Sequence, residues 1–62
     1  MAATAEFSDG QVVVVDDPGM GYAYNGVIVG REPDGRYWVA AADGTREDHK
    51  PQFLTSAGWR AF

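Results

Sequence analysis

The stretch from Tyr24 to Thr45, YNGVIVGREPDGRYWVAAADGT, limits what this chain can fold into more than any other. Val27-Ile28-Val29 is a β-branched run, Pro33-Asp34-Gly35-Arg36 is a turn, Tyr37-Trp38-Val39 opens a return strand, and Asp43-Gly44 marks a second turn. Proline presets φ at the first corner of a turn and glycine accepts positive φ near its end. The Ala40-Ala41-Ala42 run is helix-prone by propensity, yet it is too short for a helix between a strand and Asp43-Gly44.

A chain of 62 residues has room for one domain, near the lower size at which a hydrophobic core suffices by itself. With no cysteine there is neither a disulfide framework nor a thiolate metal site, so stability must come from packing or from a partner. Cytoplasmic or phage-borne origin is the expectation. MAATAEF lacks a basic region and a long apolar run, and no stretch approaches the roughly 18 apolar residues of a membrane span, so a soluble protein without membrane association is expected. Nine acidic residues against five basic ones give a formal net charge of −4. That balance opposes direct nucleic-acid binding, which Lys and Arg carry. The five cations, Arg31, Arg36, Arg46, Lys50 and Arg60, are spread along the sequence.

In chain order, residues 1–7 read as a flexible N-terminus that Phe7 anchors, and Ser8-Asp9-Gly10 as a turn launching a strand at Gln11-Val12-Val13-Val14-Val15. Four consecutive valines imply cover on both faces. Asp16 to Tyr24 is a loop punctuated by Pro18, Gly19 and Gly21. Gly26 and Gly30 bracket the next strand, where glycine signals curvature or close backbone approach. Alternation puts Tyr37, Val39 and Ala41 on one face and Trp38, Ala40 and Ala42 on the other, so an inward Val39 sends Trp38 outward. Thr45 to Asp48 reads as a short exposed strand, and His49 to Leu54 as one helical turn with Pro51 near its start. Residues 57–62, with Trp59 and Phe62, dock or form a last strand.

This order resembles the Src-homology-3-like small barrels, including KOW and Tudor modules. The likeness rests on Gly10-Gln11-Val12-Val13-Val14, Asn25-Gly26-Val27-Ile28-Val29-Gly30, Asp43-Gly44 and Pro51-Gln52-Phe53-Leu54, and covers residues 8–56. It implies an all-β fold, a five-stranded Src-homology-3-like barrel with one short 3-10 turn. The Ala-Leu-Tyr-Asp-Tyr signature and paired tryptophan of the proline-motif binders are absent. A Tudor-like cage would need converging aromatics and a carboxylate, for which Tyr22, Tyr24 and Trp38 beside Asp16 or Asp17 are the candidates. Plasmid-type dihydrofolate reductases share the architecture, and their Gln-Gly-Gln-Ile-Val-Gly is similar to Asn25 to Gly30. Their Val-Gln-Ile-Tyr strand is matched here by Thr45-Arg46-Glu47-Asp48, which does not imply that activity.

His49, between Asp48 and Lys50, reads as an exposed surface residue without partners for a triad or a zinc site. Asp16-Asp17 stands at a strand end, where adjacent carboxylates point apart. No catalytic residue, metal or cofactor is expected. The expected function is that of a non-enzymatic protein-interaction module or accessory subunit. Its protein partner, or a second copy of itself, would meet Asp16, Asp17, Tyr22, Tyr24, Trp38, Trp59 and Phe62, since Trp and Tyr are enriched at the energetic centres of interfaces. Two alternatives remain: an acidic, phage-encoded mimic of nucleic acid using Asp9, Asp16, Asp17, Asp34, Asp43, Glu47 and Asp48, and a small oligomeric enzyme with its site at a subunit junction.

Overall fold

Two turns of the same design set the register of the central strands. In the computed structural model, which describes residues 6–60 and the side chains up to Gly58, the Gly35 amide donates to the Glu32 carbonyl and the Gly44 amide to the Ala41 carbonyl, both at 3.0 Å. Each glycine sits at positive φ, 98° and 87°. One residue earlier stands an aspartate, Asp34 or Asp43, whose Oδ1 accepts from the backbone amide of Arg36 or Thr45 at 3.0 Å. An aspartate that bonds the backbone two residues on, followed by a glycine free to turn left-handed, closes a hairpin with little strain.

These turns join β2 (Tyr24–Arg31) to β3 (Tyr37–Ala40) and β3 to β4 (Arg46–His49). Before them lies β1 (Gln11–Val15), and after them a 3-10 turn, Pro51–Phe53, leads into β5 (Leu54–Arg60). All pairings are antiparallel, in the order β4-β3-β2-β1-β5. The fold is therefore all-β, five strands and one short 3-10 turn, with the sheet left open and β4 and β5 as its edges. Residues 57–60, read from sequence as the start of the tail, continue β5 and reach Gln11 through Arg60. The remaining readings at the ends, residues 1–5 and Phe62, lie outside the described residues, as does the side chain of Trp59. Among the described residues no helix is long and apolar enough to cross a membrane.

The core is a cluster of Val13, Val15, Ile28, Tyr37, Val39 and Leu54, with Phe7, Met20 and Tyr24 packed at its margin. Burying each such aliphatic side chain stabilises the fold by about 1.5–3 kcal/mol. Alternation holds: Val39 is fully buried while Trp38 is 39% exposed. Val12, on the other face of β1, is buried as well, so the valine run is covered on both sides. Phe7 does anchor the entering chain, since its amide donates to the Tyr37 hydroxyl at 3.1 Å and its ring meets Tyr37 edge-on.

Curvature comes from β2. The register shifts between Ile28, opposite Val39, and Gly30, opposite Trp38, so Val29 is the extra residue of a bulge. At Gly26 a Cβ would collide with the Val39 Cγ1 methyl and come within 3.1 Å of the Ala40 carbonyl oxygen. The backbones of β2 and β3 approach here as the glycine pattern predicted.

Candidate partner-binding cleft

The loop between β1 and β2 is held by its own aspartate. The Asp17 Oδ1 accepts from the Gly19 amide at 2.9 Å, and the Met20 amide donates to the Asp17 carbonyl at 3.0 Å. Asp16, exposed beside it, uses its amide to reach the Phe53 carbonyl at 2.9 Å, which ties the loop to the 3-10 turn. The loop then delivers Tyr22, 66% exposed, next to Tyr24, with ring centroids 6.3 Å apart.

These two rings line an open cleft of about 350 Å³ with Asn25, Asp43, Thr45 and Glu47. No lining residue is cationic. Asp43 is held below the usual carboxylate range by the Thr45 hydroxyl and amide, which donate to its Oδ1 at 2.7 and 3.0 Å. The Tyr24 phenol is pushed up, first by burial and then by the charge of Glu47. An Asp43 carboxylate favoured in its ionised form and a Tyr24 phenol favoured in its neutral form therefore face the same space.

Beneath the cleft lies His49, and here the sequence reading is overturned. His49 was expected at the surface; it is 5% exposed. The Asp43-Gly44 turn pairs Ala40 with Arg46, Val39 with Glu47, Trp38 with Asp48 and Tyr37 with His49. Residues directly opposite share a face, so His49 ends β4 on the core side beside Tyr37 and is not part of the following turn. Its Nε2 shares a 2.9 Å hydrogen bond with the Tyr24 hydroxyl and stands 3.5 Å from a Glu47 carboxylate oxygen. Its Nδ1, 3.6 Å from Asp17 Oδ2, has no hydrogen-bond partner. Counting pairs outward from the Asp-Gly turn was the signal that would have found it. Among the described residues no group of three or more His, Cys, Asp or Glu is placed to hold a metal ion.

The structure brings together only part of the aromatic set. Tyr22 and Tyr24 meet each other, and Asp17 meets the histidine under Tyr24. Trp38 lies elsewhere, opposite Gly30 and Asp48 on the other face from Tyr37 and Val39, and does not line the cleft. The carboxylates facing the tyrosines are Asp43 and Glu47, not Asp16. Beside Trp38, Asp48 is held low by hydrogen bonding from Glu32, and by Arg36 3.5 Å away, while partial burial raises Glu32.

Compared with known protein families, with curated protein sequences and with solved structures, the chain gives no significant match.

Proposed function

We propose that this protein is a non-enzymatic interaction module whose cleft receives a cationic side chain, lysine or arginine, of a protein partner. The carrying observation is that two tyrosine rings and two carboxylates line one open cleft without a compensating cation. A cation over an aromatic face gains about 0.5–2 kcal/mol, and a nearby carboxylate adds attraction and orientation. Tyr22 costs little entropy to order, having few rotamers and a loop already pinned by Asp17. Binding is favoured over catalysis because the one histidine is turned inward, its side chain 4% exposed and its Nε2 engaged by the Tyr24 hydroxyl, out of reach of a substrate. A cysteine-free domain needs no oxidising compartment, and residence in the cytoplasm, of a host or of an infected cell, belongs to this reading.

The nucleic-acid mimic has less to support it, because several of its carboxylates are engaged locally: Asp34 and Asp48 with Arg36, Asp43 with Thr45, Asp17 with Gly19. The test is calorimetric titration of a short lysine-bearing peptide into wild type and Tyr22→Ala at low and high salt. The module reading expects at least tenfold weaker binding to the variant and a shallow salt dependence. Equal affinities for both proteins, with binding that vanishes at high salt, would favour a diffuse acidic surface instead.

A further inference from the structure

Cations dispersed along the sequence are gathered by the fold. Arg31 ends β2, Arg36 opens the return from the first hairpin turn, and Lys50 precedes the 3-10 turn. All three line one groove of about 430 Å³, together with Asp34, Tyr37 and Gln52. Arg36 is matched: its Nε is 3.8 Å from Asp34 and its Nη1 3.5 Å from Asp48. Among the described residues, Arg31 and Lys50 pair with no carboxylate. Arg31 instead makes a cation–π contact, its guanidinium carbon 5.6 Å from the centroid of the buried Tyr37 ring. In a chain with nine acids against five bases, two uncompensated cations beside one groove are a charge arrangement that folding does not require.

We propose that this groove is an oxyanion site that binds a phosphate group. Two unpaired positive charges match a phosphate carrying about −1.5 to −2 at neutral pH, whereas a single carboxylate would leave one cation unmet. An arginine drawn to the face of a ring presents its planar fork of donors with less rotamer entropy to lose, and Lys50 supplies a mobile point charge. Asp34, the one carboxylate in the lining, is kept on Arg36 and orients it.

The test is a nitrogen-15 NMR titration at low ionic strength with inorganic phosphate and separately with phosphoserine, each against sodium chloride of equal ionic strength. The expected result is saturable shifts confined to residues 31–36 and 50–52, absent with chloride, and at least tenfold weaker binding to Arg31→Gln and to Lys50→Gln. Tighter binding of phosphoserine would place the phosphate on a polypeptide; equal affinities would assign the site to the free ion. The variants change exposed side chains, and an unchanged spectrum elsewhere certifies their fold. Shifts that chloride reproduces, or that both variants retain at full strength, would overturn the proposal.

Discussion

The two ends of β3 carry opposite chemistry on one strand of four residues. At the Ala40 end, the second hairpin turn and the Tyr22 loop build a cleft of rings and carboxylates; at the Tyr37 end, the first hairpin turn and the 3-10 turn build a groove of cations. Each end uses the same Asp-Gly turn, yet Asp34 is paired with an arginine while Asp43 is paired only with a neutral threonine. The lesson is that turn design sets geometry and the residue after the glycine sets charge. A net charge of −4 hides this polarity.

The largest perturbation should erase the comparison altogether. Val39 is wholly buried between the two ends, and Val39→Asp would place an unpaired charge in the core at a cost of about 4 kcal/mol or more, enough to unfold a domain of this size. A cooperative melt for that variant would mean that the strand is out of register. His49 reaches both ends, opposite Tyr37 and hydrogen-bonded to Tyr24. Truncation in His49→Ala should cost about 2 kcal/mol in chemical denaturation and loosen the Tyr24 amide to hydrogen exchange. Loss below about 0.5 kcal/mol would contradict its structural role.

A smaller change isolates the cleft. The Tyr24 phenol is raised above its ordinary value of 10.0, so the folded protein keeps a proton that the unfolded chain has released. That contribution is full below the unfolded value and is lost as pH rises through the folded one. The melting temperature should therefore fall above about pH 10, and Tyr24→Phe should remove part of that slope while costing about 1 kcal/mol at neutral pH. An unchanged alkaline slope would detach Tyr24 from the effect. The smallest effects belong to the exposed rings: Tyr22→Ala and Trp38→Ala should each alter stability by less than about 1 kcal/mol. Only the former should weaken binding of a cationic peptide, because Trp38 faces away from the cleft.

Much of the fold was legible because it is written locally. Alternation placed Val39 inward and Trp38 outward, Pro33 to Arg36 and Asp43-Gly44 read as turns, and Gly26 announced a close approach between strands. What escaped depends on distance in sequence. His49 sits between two charged neighbours and looks exposed until the pairing with Tyr37 and the reach of Tyr24 and Asp17 are known. Arg31, Arg36 and Lys50 meet only because Tyr37 pairs with Arg31 on one side and with His49 on the other, which sets Lys50 beside the first hairpin. Tyr22 and Tyr24 were read as candidate binding residues and do line one cleft, but the carboxylates beside them come from the second hairpin, not from the adjacent Asp16.

The most direct test of the central claim is NMR shift mapping of wild type with a lysine-bearing peptide and with its uncharged norleucine counterpart. The account predicts saturable shifts at Tyr22, Tyr24, Asp43 and Glu47 with lysine, and at least tenfold weaker binding with norleucine. Equal shifts from both peptides, or shifts centred on Trp38, would contradict it.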